Sequence, residues 1–194
     1  MKVMKNKKIK VELGGQMYEL NAKCLRENTY GENVGQKYLY ISHVEAGSLV
    51  KQFVKKNYPN VVCKVSSSSF SMGNSLDVYV HDKMGNPIAQ DIYDQINNFA
   101  HNWEYGKFNG MYDIYEDYES SGVVSDNGNE IQAGVKYVNV NNRAKFGTVE
   151  SILYEVLTQG RDFSEVVKYY TDSTTKNNPP KAKVILEKMG AVII

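Results

Sequence analysis

The amino-acid sequence predicts an α+β fold, with a mixed or antiparallel sheet, helices packed on one face of it, and a helical C-terminal third. Three observations carry this. Apolar and polar residues alternate on both sides of a Gly14-Gly15 pair, apolar stripes at helical spacing follow the capping residues Ser42 and Thr148, and between those helices the apolar period drops to two. A chain of 194 residues suits one well-buried core. A single domain spanning residues 1–194 is therefore expected, and the sole internal boundary the composition suggests is the stretch 120–134.

Residues 7–22 alternate around the glycine pair, which predicts a hairpin with a two-residue turn. Polar and glycine residues dominate 24–36, read as a loop, and the tyrosine-bearing Lys37–Ile41 reads as a short strand. Ser42 and Glu45 stand at capping-box spacing, so a helix starts there with Ala46, Leu49, Val50, Phe53 and Val54 on its apolar face. Asn57-Tyr58-Pro59 should end it, because proline disfavours a helical conformation in the residue before it. Val61, Cys63 and Val65 then share one face of a strand, and Leu76, Val78 and Val80 share one face of the next. The run Ser66 to Ser71, with Gly73, is assigned to the turn between them. Asn86-Pro87 is assigned to the start of a second helix, as N-cap and first helical residue, with the stripe Ala89, Ile92, Ile96, Phe99 and Trp103.

Beyond the turn framed by Gly106 and Gly110, residues 111–119 alternate and read as a strand. Residues 120–134, rich in Ser, Gly, Asn and Asp, read as a loop, and 135–140 as another strand. Thr148 caps a helix carrying Val149, Ile152, Leu153, Val156 and Leu157 that stops near Gly160, and Asp162 with Glu165 repeats the capping logic. Residues 172–180 end in Asn-Asn-Pro-Pro and are read as a break before a short helix over 181–189, with 191–194 as a closing strand.

The charge is nearly balanced, 23 Lys plus Arg against 22 Asp plus Glu, so any electrostatic function must be local. Lys2, Lys5, Lys7, Lys8 and Lys10 make the amino terminus basic, whereas residues 104–130 are acidic. Two distant cysteines, Cys24 and Cys63, do not form a disulfide framework, and Cys63 in its apolar run reads as a small packed hydrophobe. No long apolar run suggests a membrane span, and the cytoplasm is the expected compartment.

Candidate chemistry is sparse. His43, His81 and His101 lack metal-ligand spacing, and neither cysteine has the basic or helix-terminal company that activates a thiol. Asp113 and Asp117 share a strand face about 13 Å apart at roughly 3.3 Å per residue, too far to hold one ion between them. No catalytic residue, metal or cofactor is expected, and the chain is read as leaning away from an enzyme. What stands out is a ridge in which Tyr112, Tyr115 and Tyr118 interleave with Asp113, Glu116 and Asp117. Tyrosine supplies contact area and the acids suit a basic protein patch, so this ridge is the expected partner-binding site. The alternative is a nucleic-acid-binding module that uses Lys5, Lys7, Lys8 and Lys10 with exposed tyrosines.

Val65-Ser66, Ser69-Phe70-Ser71, the run Gly73-Asn74-Ser75-Leu76-Asp77-Val78, and Phe108-Asn109-Gly110-Met111-Tyr112-Asp113 together resemble the large polyvalent protein-associated domains of type twenty-nine, from phages and mobile elements. Residues 135–143 resemble the strand that often follows in that family. The resemblance spans about residues 45–118 and extends toward 145, leaving an N-terminal hairpin and loop over 1–44 and a helical segment over 146–194. Residues 81–87 depart from the aromatic and Asp-Gly-Pro typical of the family there. The resemblance implies context more than chemistry: a non-enzymatic accessory protein that binds host machinery, a host protein or protein–nucleic acid complex, with an anti-CRISPR or anti-restriction role as its specific form.

Overall fold

Gly14 and Gly15 both take positive φ, +57° and +73°, the backbone that a two-residue type I′ turn demands and that side chains with a Cβ resist. Strand β1 (Lys7–Leu13) therefore folds straight back on β2 (Gln16–Ala22), in register from Lys7 opposite Ala22 to Leu13 opposite Gln16. The computed structural model describes residues 7–22, 24–27, 34–71, 73–105, 107–109, 114–116, 123–125, 128, 130–168 and 176–191. Val11, Leu13, Tyr18 and Leu20 turn one face of the hairpin into the core.

Strand β3 (Cys24–Glu27) occupies part of the stretch expected to be loop. Four residues with little alternation carry no strand signal of their own; β3 exists because it pairs antiparallel with β4 (Lys37–Ile41). The Arg26 guanidinium also lies 3.5 Å from the centre of the Tyr40 ring. Helix α1 (His43–Asn57) starts where the capping residues place it, with the Ser42 hydroxyl accepting from the Glu45 amide at 3.3 Å. Only half of the capping box forms. The Glu45 carboxylate instead accepts from the backbone amide and side-chain amide of Asn21, at 2.8 and 3.2 Å, which ties the helix to the hairpin.

Strands β5 (Val62–Phe70) and β6 (Gly73–His81) form a hairpin longer than expected. The serine run is strand rather than turn: Ser66 to Ser69 pair with Asp77 to Asn74, and the Ser68 and Ser75 hydroxyls meet across the strands at 2.8 Å. Serine has weak intrinsic preference, so the partner strand decides. Helix α2 (Gln90–His101) begins later than Asn86-Pro87 predicts. Asn86 is instead held by Asp82, whose carboxylate accepts from the Met84 and Asn86 amides and from the Asn86 side chain, at 2.7, 2.9 and 2.7 Å. Residues 87–89 then stay non-helical, and Ile88 exchanges two hydrogen bonds with the Asn142 side chain. The expected stripe otherwise holds, with Ile96 and Trp103 buried and Phe99 stacked on Phe53 at 4.1 Å, but Ala89 is exposed.

Strands β7 (Lys107–Asn109) and β8 (Ile114–Glu116) make a small antiparallel pair. The strand expected over 111–119 is thus represented by β8, with its other residues outside those described. The stretch 120–134, expected to be loop, instead contributes β9 (Val123–Val124) and β10 (Glu130–Ala133). Strand β10 is internal to its sheet, parallel to β4 on one side and antiparallel to β9 on the other, with Ile131 and Ala133 in the core. Four residues preceded by Asn, Asp and Gly cannot announce themselves as a strand; β4 and β9 make them one.

Strand β11 (Tyr137–Asn141) runs parallel to β6. Residues 130–141 therefore supply one strand to each of two sheets, ordered β3-β4-β10-β9 and β11-β6-β5. Gly134 sits at the crossing, where a Cβ would come 2.0 Å from the Tyr40 hydroxyl. Asn74 fills the gap in the ladder: its side-chain amide donates to the Gly134 carbonyl at 2.7 Å and its oxygen accepts from the Lys136 amide at 3.0 Å.

Helices α1 and α2 lie on the same side of this framework, α1 against β5 and β6, and α2 against α1 and β11. The C-terminal part is α3 (Val149–Leu157), α4 (Phe163–Lys168) and α5 (Asn178–Lys188), with Thr148 and Asp162 capping as predicted. The Pro179-Pro180 pair does not break the chain but opens α5, because the first turn has no intrahelical use for the missing amides. Ile152, Leu153, Val166, Ala182 and Leu186 form a second, separate cluster, against which Met84 packs. Ala191 is not in a strand, and 192–194 lie outside the described residues.

Gly47 is the tightest point between α1 and the hairpin beneath it. A Cβ there would meet Leu76 Cδ1 at 2.8 Å and Val65 Cγ1 at 2.9 Å. Helix propensity alone favours Gly47→Ala by about 1 kcal/mol. Overpacking should reverse the sign, leaving the variant about 1–2 kcal/mol less stable in chemical denaturation.

Candidate binding face

The pleat sorts the β11-β6-β5 sheet into two faces. Leu76, Val78, Val80, Val138 and Val140 point toward α1 and α2, so their alternates point away: Ser75, Asp77 and Tyr79 on β6, Tyr137, Asn139 and Asn141 on β11. On β5 the same register places Lys64, Ser66, Ser68 and Phe70 on this outer face. No described helix lies across its centre. Asp77 sits in the middle, with its carboxylate oxygens within reach of Ser75 at 3.5 Å and the Asn139 amide at 3.0 Å.

Rings and cations mark the two ends. At the hairpin tip Phe70, 48% exposed, lies nearly parallel to Tyr137 with ring centres 6.1 Å apart, and the Lys136 ammonium is 5.6 Å from the Tyr137 ring. Lys136 reaches this place along Gly73, where a Cβ would meet the lysine Cδ at 2.6 Å. At the other end the Lys145 ammonium lies 5.9 Å from the Tyr79 ring, and burial with the Asp77 charge raises the Tyr79 hydroxyl above its ordinary pKa despite Arg143 nearby.

Past Tyr79 the face ends against the C-terminal helices. His81 is fully buried, its Nδ1 donating to the Asp82 carbonyl at 2.6 Å while Nε2 has no partner among the described residues. Lys64 pairs with Glu150 at 2.7 Å. Burial alone would raise the Glu150 carboxyl, but Lys64, its own backbone amide and His81 outweigh that and hold it below its ordinary value. Gly85, with φ of +87°, lets this turn approach the Glu150 carbonyl, which a Cβ would meet at 2.4 Å. Beside it opens a cavity of about 330 Å³ lined by Arg143, Phe146, Ser151, Tyr154 and the Glu155–Arg161 pair, the last at 2.5 Å.

Tyr112, Asp113, Asp117 and Tyr118 lie outside the described residues, and for Tyr115 and Glu116 only the backbone, in β8, is described. Lys5 is likewise outside them, and Lys7 is described only as backbone. Lys8 and Lys10 are exposed on β1, on the face opposite Val11 and Leu13, with Lys10 3.9 Å from Glu19. Of the histidines, His43 reaches Ser69 at 3.2 Å and His101 reaches Glu104 at 2.9 Å. Among the described residues no group of three or more His, Cys, Asp or Glu is placed to hold a metal ion.

The family described as large polyvalent protein associated domain 29 matches residues 41–147, more than half of the chain. The chain belongs to that family. The match runs from the end of β4 through β11, so the domain 29 region contains α1, the β5–β6 hairpin, α2 and the whole outer face, but neither the N-terminal hairpin nor the C-terminal helices. Membership associates the chain with phages and mobile elements. No curated protein and no solved structure matches it.

Sequence reading missed the outer face because it assigned the serine run to a turn. With the strand ended at Ser67, Phe70 does not align with Tyr79 and Tyr137. The alternation Ser75, Asp77, Tyr79 was the available signal, and it gains meaning only once β11 is known to lie alongside.

Two measurements test this corner. Burial pushes the Cys63 thiol from 9.0 up to about 11, against a smaller opposing effect of Lys51, so at pH 8 its thiolate is about a hundredfold scarcer than in an ordinary cysteine. Site-resolved alkylation should label Cys63 at least that much more slowly in the folded chain than after denaturation. The Glu150 carboxyl, held below 4.5, contributes stability that is present above that pH and lost as pH falls through its folded value. Glu150→Gln should cost under about 1 kcal/mol at pH 7, since the pair is partly solvent-screened, and nothing near pH 2 in urea melts.

Proposed function

We propose that this chain is a non-enzymatic accessory module of a phage or mobile element, and that it works by binding host machinery through the outer face of the β11-β6-β5 sheet. The observation that carries the reading is the one-sidedness of the sheet. Both helices of the family region pack on the aliphatic face, while the other presents rings, amides, hydroxyls and lysines. A solvated polar face is ordinary for such a sheet; one that adds aromatic area to hydrogen-bonding groups suits recognition.

Support for a binding role over an enzymatic one comes from the same residues. In the cavity beside Arg143 the Ser151 hydroxyl donates to the Thr148 carbonyl at 2.9 Å, and the buried His81 ring donates to the Asp82 carbonyl, so among the described residues neither is joined into a nucleophile–base pair. The family context supplies the rest: an element entering a bacterium meets defence complexes, and inhibition of a CRISPR effector or a restriction system is the specific form of this proposal.

Plating efficiency provides the test. Expression of the chain in a bacterium with an active CRISPR or restriction system should raise phage plating at least tenfold over an empty vector. Tyr137→Ala with Asn139→Ala should return it to the vector level at equal protein abundance. No gain against either class of system would overturn the anti-defence form.

A further inference from the structure

We propose that the outer face of the β11-β6-β5 sheet binds single-stranded nucleic acid; this rests on the reading above that the face is the working surface, and names the component of the host machinery it touches. The decisive feature is the pairing of rings with cations at both ends of a flat strand surface. Phe70 and Tyr137 form one ring platform with Lys136 beside it, and Tyr79 forms a second with Lys145 beside it. Single-stranded nucleic acid offers the complement at each point, since every base has a face to stack and every linkage a phosphate. Aromatic side chains on an open sheet are a recurrent way to hold splayed bases.

The spacing agrees. Tyr137 is opposite Ser75 and Asn141 opposite Tyr79, so the platforms are four residues apart along β6, about 13 Å at roughly 3.3 Å per residue. That separation lets each platform take a different base. Between them Ser68, Asn139 and Asp77 present hydroxyl, amide and carboxylate groups suited to base edges.

Charge favours the same occupant. The whole chain carries only +1, yet a lysine stands at each ring platform of this face, Lys136 at Tyr137 and Lys145 at Tyr79, with Asp77 between them and Lys64 paired to Glu150. Asp77 is also tied down by its contacts with Ser75 and Asn139. A duplex is a poor fit, because its bases are stacked inward and the rings could not reach them. An acidic peptide would satisfy the cations but leave the ring platforms without partners.

Fluorescence anisotropy of the full chain with labelled oligo-dT, oligo-U and a mixed-sequence duplex, each about a dozen nucleotides long, tests this. Micromolar binding of one or both single strands at low salt is expected, and at least tenfold weaker binding of the duplex. The oligo-dT and oligo-U arms tell DNA from RNA as the source. Two lysines predict a log–log salt slope of about −1.4. Phe70→Ala with Tyr137→Ala should weaken binding at least tenfold, as should Lys136→Glu with Lys145→Glu, whereas the equal charge change Lys183→Glu on α5 should not. Circular dichroism confirms that each variant is folded. No binding at low salt, equal binding of duplex, or binding indifferent to both double variants would overturn the inference. If phage protection persists in any of those cases, the face meets a protein and the broader reading stands; if single strands bind and protection is absent, the inference survives and the anti-defence form falls.

Discussion

The close seating of α1 on the β5–β6 hairpin is the contact on which the remaining structure depends. Gly47 removes the one Cβ that would hold helix and sheet apart, and Ala46, Leu49, Val50 and Val54 are consequently buried against the sheets and the N-terminal hairpin. Each of the larger three contributes about 1.5–3 kcal/mol by leaving water. The helix loses roughly 1 kcal/mol of propensity at the glycine, which this burial offsets several times over. The N-terminal hairpin docks onto the same helix, through Glu45 on Asn21 and through Gln52 on the backbone amide and carbonyl of Glu19.

Two further close approaches join the parts. Gly134, with Asn74 completing the hydrogen bonds around it, lets one stretch of chain leave the β4 sheet and enter the β6 sheet without leaving buried backbone groups unpaired. Gly85 lets the Asp82 turn approach the first turn of α3, where Lys64 meets Glu150 and Met84 enters the second apolar cluster. The family-matched region therefore carries the attachment points for segments that lie outside it.

This architecture explains why a polar, ring-bearing face survives on the far side of the sheet. Both helices are committed to the aliphatic side, and the C-terminal helices attach at one end, near His81, rather than across the middle. No described helix crosses the middle of this face. Rings and cations at its two ends connect the fold to the proposed recognition.

The hairpin at Gly14-Gly15, the caps at Ser42, Thr148 and Asp162, and the apolar stripes of α1 and α2 were legible in the residues, because each is fixed by local stereochemistry or by a period that one element displays alone. The family resemblance was legible too, through motifs on β5 and β6 and the segments that follow. Strand β3, strand β10 and the serine half of β5 were not, because short or weakly inclined segments become strands only when a distant partner offers its hydrogen bonds. Asn86 had the right neighbours for a cap, yet Asp82 holds it first. The outer face belongs to this second group: Phe70, Tyr79 and Tyr137 sit on three strands, and only the parallel pairing of β11 with β6 makes them one surface.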